Sequence, residues 1–225
     1  ILENGLHWIS KDGYLGLIHP EGIYDDPNGY MLRKEVYQRL KFHFHFQNQY
    51  KLFSEIGGTR IYSINIYSGE KAEIEILSIS YLFHPNTIDG CLINIENNEP
   101  VQGLKVKNKL TNKLEWNIQP HPSRKVKIDK EVLKVLSRTF EDSDDWEGTK
   151  LVSIHAQEIV NVIEKIGQFP KTVQNFENKI LEGWHETNDV FDGTNGDIKR
   201  ETQYPDIDNY EMIYSGPHLF VGNPL

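Results

Sequence analysis

The eight residues Lys41 to Asn48 read KFHFHFQN, with Phe42, Phe44 and Phe46 strictly alternating with Lys41, His43, His45 and Gln47. A period of two is the signature of a pleated strand, because successive side chains leave opposite faces. A helix cannot use this pattern, so it anchors the chain around it. Upstream, Leu2, Leu6 and Ile9 sit at helical spacing within residues 1–11, and Asp12-Gly13 ends that segment. Tyr14 to Ile18 is a short apolar run without alternation, the texture of a strand covered on both faces. A turn-rich loop, His19 to Gly29, leads to residues 30–40, where Leu32, Val36, Tyr37 and Leu40 share a helical face. Downstream, Arg60 to Tyr67 and Ala72 to Ile79 are strand-like around Ser68-Gly69-Glu70 and predict a hairpin. A helix-strand-helix-strand run implies parallel strands with crossover helices. The fold class expected is α/β: the C-terminal half of a doubly wound, Rossmann-like sheet closed by an antiparallel edge.

Beyond Tyr81 the texture changes. Tyr81 to Pro100 is linker-like, with Pro85, Asp89-Gly90 and a polar run before Pro100. Short strand-like pieces carry Lys at alternate positions over 101–130. A short helix is expected over 130–138, a helix over Leu151 to Gly167, and short strands and loops over 170–225. Two regions are therefore expected, 1–85 and 86–225, the second of α+β character. Ile1 lies inside an expected helix and Leu225 follows an apolar run, so the chain is expected to be an internal piece of a longer protein.

The net charge of −9 argues against indiscriminate nucleic-acid binding, but its distribution is uneven. Residues 1–100 carry 8 basic and 13 acidic side chains, residues 101–138 carry 10 and 3, and residues 139–225 carry 6 and 17. Within the basic block, Lys105, Lys107 and Lys109 at i, i+2 and i+4 would line one face of a strand. Lys113, Arg124, Lys125 and Lys127 continue the stripe, with Trp116 and His121 interleaved. Such a stripe suits phosphate contacts, and lysines of this kind also protect edge strands from aggregation.

Other candidates are thinner. His43 and His45 point to one face of a strand, but two ligands do not make a zinc site and no third follows at ligand spacing, so no metal is expected. They are expected on a half-exposed face. Arg33 opens the second helix as a surface residue, or as a contact beside a ligand cleft. No phosphate-binding GxxxxGK[ST] loop and no Gly-x-Ser-x-Gly elbow occurs. The single Cys91 excludes an intramolecular disulfide and fits a reducing cytoplasm, and no apolar stretch is long enough for a membrane helix.

The segment Gly13 to Gly69 resembles the second half of the catalytic domain of γ-type N6-adenine DNA methyltransferases, more narrowly the large fused proteins of restriction-modification and phage defence. The resemblance rests on the strand Asp12-Gly13-Tyr14-Leu15-Gly16-Leu17-Ile18-His19-Pro20. It continues through the helix opening with Leu32-Arg33, the next strand, a Phe-containing loop and the expected hairpin. The run from Gly183 to Leu225 is similar to the target-recognition region of such proteins.

The resemblance implies that S-adenosylmethionine binding and the Asn/Asp-Pro-Pro-Tyr/Phe motif lie upstream, in the remainder of the polypeptide. This part would then hold no cofactor and no catalytic residue, and would not methylate alone. It implies double-stranded DNA as partner and makes Phe53 a candidate for stacking on the flipped adenine. The competing expectation is a non-enzymatic α/β interaction module. A weaker one is a metal-dependent nuclease using Glu186, Asp189, Asp192 and Asp197.

Overall fold

The computed structural model of the chain describes residues 1–93 and 99–169, together with 189, 190, 193 and 196. Residues Ile1–Pro170 form one compact unit and Lys171–Leu225 a second. Apart from residues 189, 190, 193 and 196, Asp189 among them, the expected strands and loops beyond 170 and the Gly183–Leu225 resemblance lie outside the described residues, as do Glu186, Asp192 and Asp197.

The first unit is mixed α/β. Helix α1 (Leu2–Trp8) leads to β1 (Tyr14–Pro20), and the short α2 (Gly22–Asp25) and α3 (Tyr30–Tyr37) lead to β2 (Leu40–Gln47). Strands β3 (Ile61–Ser68) and β4 (Glu75–Leu82) follow, then α4 (Asn86–Leu92). A small hairpin, β5 (Lys105–Lys107) and β6 (Leu114–Trp116), precedes β7 (Val126–Asp129), α5 (Lys130–Leu136) and α6 (Gln157–Gly167). The boundary between β7 and α5 is abrupt because Asp129 ends the strand and caps the helix, its carboxylate accepting from Glu131 N at 2.9 Å and Val132 N at 3.0 Å.

The main sheet has five strands in the order β1-β3-β2-β4-β7. β3 is antiparallel to both β1 and β2, so β1 and β2 run the same way with a reversed strand between them. β2 and β4 are parallel, and β7 closes the other edge antiparallel to β4. Two expectations are corrected here. β1 and β2 share direction but are not neighbours, and β3 and β4 are not a hairpin. The segment 69–74 passes over the start of β2, with Ala72 N donating to Gln38 O at 2.9 Å and Ser68 N to Arg39 O at 2.7 Å. Six residues easily span two interstrand spacings of about 4.8 Å. β2 takes the centre because it has large side chains on both faces to bury.

The crossing is tight at Gly69. Its N–H donates to Gly13 O at 2.8 Å, and a Cβ added there would lie 1.7 Å from Ser10 O. Gly69→Ala is expected to cost about 2–3 kcal/mol through backbone displacement, measured by urea denaturation; a loss below the error of the method would show that the 10–13 turn yields freely.

One face of the sheet joins Leu15, Leu17, Tyr67, Leu40, Ile76, Val126 and Ile128 to α3, α5 and α6 through Val36, Tyr37, Leu133, Leu136, Val160 and Ile163. The other gathers Phe44, Phe46, Tyr62, Ile79, Leu82 and Cys91, with Ile88 of α4 against it. Because β7, α5 and α6 share the core of β1–β4, no boundary falls at 85/86. The expected 151–167 helix begins only at Gln157. β1 departs most from expectation: it is an edge strand, with Tyr14 69% and Ile18 57% exposed.

Candidate functional site

The face covered by α3, α5 and α6 changes character along the strands. Register places Leu15 opposite Tyr67, Leu17 opposite Asn65, and His19 opposite Ser63. It also places His43 beside Asn65 and Ser78, and His45 beside Ser63. Towards the carboxyl ends of the co-directional strands β1, β2 and β4, the face therefore turns from apolar to polar. In open, mostly parallel α/β sheets that end carries the ligand crevice.

The polar band is knitted by hydrogen bonds. Tyr24 of α2 donates to Asn65 Oδ1 at 2.6 Å, and its hydroxyl lies 2.9 Å from that of Tyr67. His19 Nε2 is 3.1 Å from the Tyr67 hydroxyl and 3.0 Å from Asn65 Nδ2, while its Nδ1 donates to Pro20 O at 2.9 Å. Asn65 Nδ2 also reaches Ser63 Oγ at 2.7 Å. Next to this network, His43 Nε2 lies 3.2 and 3.3 Å from the Glu21 carboxylate, and its Nδ1 lies 3.0 Å from Ser78 Oγ. Nε2 donates to the carboxylate, and Nδ1 shares the other bond with the serine hydroxyl. His45 Nδ1 accepts from Tyr81 N at 3.2 Å.

Electrostatics follows from burial and neighbours. Burial raises the Glu21 carboxyl, but hydrogen bonds from His43 and Ser63 and the charges of His43 and His45 outweigh it and hold it below its ordinary value. His45 is pushed down to about 4, chiefly by burial and also by the adjacent His43, against the attraction of Glu21. Burial, then the neighbouring Tyr67, drives the Tyr24 hydroxyl far up, and burial takes Tyr67 up to about 12. The result is an ionised carboxylate hydrogen-bonded to a buried imidazole, backed by un-ionised phenols. Such a group can orient or accept a proton from a hydrogen-bonding ligand.

Tyr81 closes the band under strain. Its φ of 56° is left-handed, at a register break between β2 and β4, and its ring stands edge-on between His45 (5.6 Å) and His155 (6.2 Å). Among the described residues no group of three metal-ligating side chains converges. No helix among them is long and apolar enough to cross a membrane.

The residues singled out from sequence fall into three places. Phe53 is 40% exposed in the loop after β2, edge-on to Tyr62 at 5.0 Å. Asn48 clamps that loop, accepting from Phe53 N at 3.0 Å and donating to Phe53 O at 2.8 Å and Ile56 O at 2.9 Å. Lys105, Lys107, Lys109 and Lys113 lie exposed on the β5–β6 hairpin, Lys125 is half-buried, and Lys127 forms an ion pair with Glu75 at 2.5 Å.

Three expectations need correction. Arg124 has no exposed surface: its guanidinium donates to the carbonyls of Gln119, Ser80 and Tyr81 at 3.0–3.1 Å, so it cannot meet DNA. Arg33 is buried too, holding Gly148 O and Asp26 O at 2.7 Å. His43 and His45 are buried rather than half-exposed: Glu21 and Tyr24 lie against His43, and the Tyr81 ring stands edge-on to His45.

Glu21, Tyr24, Asn65 and Tyr67 were not singled out from sequence. One signal could have found part of the band. His43/His45, Ser63/Asn65 and Ser78/Ser80 are three polar pairs at i, i+2 inside otherwise apolar strands, which can share one buried face only if they cooperate. No family model matches the sequence, and no curated protein or solved structure matches it.

Proposed function

We propose that this chain is the closing part of the catalytic sheet of a DNA N6-adenine methyltransferase, of the restriction-modification or phage-defence kind working in the cytoplasm, and that it contributes to reading double-stranded DNA. What carries this reading is the missing cover on β1. Its sequence is that of a doubly buried strand, yet Tyr14 and Ile18 stand exposed, Ile64 and Ile66 beside them are half-covered, and the outer edge of β1 pairs with no described strand. An apolar edge of this kind is a site for further strands. The remainder of a doubly wound sheet would pair there, and the polar band would then lie beside its ligand crevice.

S-adenosylmethionine belongs, in this reading, to the upstream remainder of the polypeptide, and no residue here is given a role toward it. Phe53 is presented on a clamped loop with its ring half free, as stacking on an extruded base requires. Target recognition falls to the basic hairpin, which sits inside the first compact unit rather than in a separate region.

The test uses the intact parent protein, labelled S-adenosylmethionine and duplex DNA. Label should appear on adenine N6, and Phe53→Ala should lower kcat/KM by roughly 10- to 100-fold, the range for losing one base stack. An upstream sequence without an Asn/Asp-Pro-Pro-Tyr/Phe motif, together with no transfer, overturns the proposal and leaves a non-enzymatic interaction module.

A further inference from the structure

We infer that the β5–β6 hairpin is a ribbon that enters the major groove of duplex DNA, with Leu110 leading and Lys105 and Lys107 on the flanking phosphates. This rests on DNA being the partner and adds where and how it is met.

The hairpin is a separate two-stranded sheet, and β5 and β6 have three residues each. So short a ribbon is marginal by itself. Local bonds hold it instead. Asn108 N donates to Lys113 O and Asn117 N to Leu104 O, both at 2.8 Å. Asn108 Oδ1 accepts from Leu110 N at 2.8 Å and Thr111 N at 3.1 Å. Asn112 takes the left-handed conformation, φ 60°, that turns the chain back. At the base, Trp116 packs on Phe83 with ring centroids 4.7 Å apart. All this fastening presents a leucine that is 96% exposed.

The faces of the ribbon differ. Lys105 pairs with Trp116 and Lys107 with Leu114, which puts two lysines, an exposed leucine and the tryptophan on one side. Val106 and Glu115 take the other. Lys105 Nζ rests 4.5 Å over the Trp116 ring, so one cation is already ordered. Glu115, the only acidic residue of the hairpin, is turned to its bracing, accepting from Asn108 Nδ2 at 2.9 Å. Lys109 and Lys113 flank the tip.

The match to DNA is one of charge and dimension. Two strands about 4.8 Å apart fit a major groove about 12 Å wide. Lysines at i, i+2 lie about 6.7 Å apart, so both can reach neighbouring phosphates of one DNA strand, whose axial rise is about 3.4 Å. A fluid anionic bilayer imposes no such spacing. An apolar tip in the major groove meets the thymine methyl.

The test measures binding of the 225-residue chain to a labelled 30-bp duplex by fluorescence anisotropy from 50 to 200 mM KCl. Lys105→Gln with Lys107→Gln and Lys109→Gln should lower the slope of log K against log salt by about 2–3, near one per phosphate contact. Leu110→Ala should weaken binding several-fold on the thymine duplex and have no effect where deoxyuridine replaces thymidine. Methyl green, which occupies the major groove, should compete; netropsin, which occupies the minor groove, should not. All four side chains are exposed, so unchanged circular dichroism melts are expected and check the fold.

Several results overturn the inference: no duplex binding, an unchanged slope in the triple variant, competition by netropsin alone, or binding only to phosphatidylserine vesicles. An unchanged slope with methyl transfer intact sinks the hairpin and leaves the proposed function standing. The expected binding with no methyl transfer by the intact protein does the reverse.

Discussion

Acidification from pH 7 to pH 4 is expected to remove about 3 kcal/mol of folding stability through His45 alone. The ring is 4% exposed, and burial, then the nearby His43, holds its folded value at about 4 against 6.5 for a free imidazole. The sign follows from proton counting. Between 6.5 and about 4 the unfolded chain binds a proton that the folded chain refuses, so the contribution is complete above pH 6.5 and gone near pH 4. A difference of about 2.5 units at 1.36 kcal/mol each gives the magnitude. The groups around the ring act in different directions. Glu21 attracts the proton and His43 repels it, while the Tyr81 N–H already occupies Nδ1. His155, lowered by burial first and then by Arg124 and His121, adds in the same direction. Glu21, held below its ordinary value of 4.5, adds a further loss that begins as pH falls past 4.5 and is complete only at lower pH. Urea denaturation at pH 7, 5.5 and 4 provides the measurement. His45→Gln can still accept from Tyr81 N–H but cannot titrate, so its stability should vary markedly less with pH. Equal pH slopes in both proteins would mean that His45 protonates freely in the folded state.

Arg124→Met is expected to cost about 3–5 kcal/mol, as breaking a buried charged network does. Among the described residues no carboxylate is paired with the guanidinium. It answers three backbone carbonyls, those of Gln119, Ser80 and Tyr81, which remain buried when it is removed. Each stranded acceptor costs about 1–3 kcal/mol, offset in part because the cation no longer has to leave water. Arg124→Lys should rescue little, since one ammonium cannot span carbonyls arranged for a planar fork. The consequence reaches the polar band. Ser80 and Tyr81 are the residues Arg124 holds, and Tyr81 keeps its left-handed backbone, φ 56°, beside His45. Loss of the arginine should therefore also raise the His45 titration midpoint towards 6.5, read by proton NMR of the imidazole. A stability loss under 1 kcal/mol would mean that water replaces the side chain at those carbonyls.

How much of this was legible follows from the range of each interaction. The alternation in KFHFHFQN established a strand because the pleat of one strand sets it, and the polar pairs within β2, β3 and β4 are written in the same local code. The α/β order, α3, α5 and the lysine ribbon follow from equally short-range patterns. Which strand lies beside which does not. β3 could have paired with β4 across the turn at Gly69; it entered between β1 and β2 because β2 had two faces of large side chains to cover and the six-residue connection could step over it. The two arginines make the same point. Arg124 and Lys125 are adjacent cations in one basic block, indistinguishable by spacing. Only the convergence of three carbonyls from segments about 40 residues apart buried the first and left the second half in water. Local pattern specified most of the elements and the polar pairs within β2, β3 and β4, but not that β1 would stand at an edge. The tertiary structure decided their order and which polar groups came to face one another, because desolvation depends on every segment that arrives at a point in space.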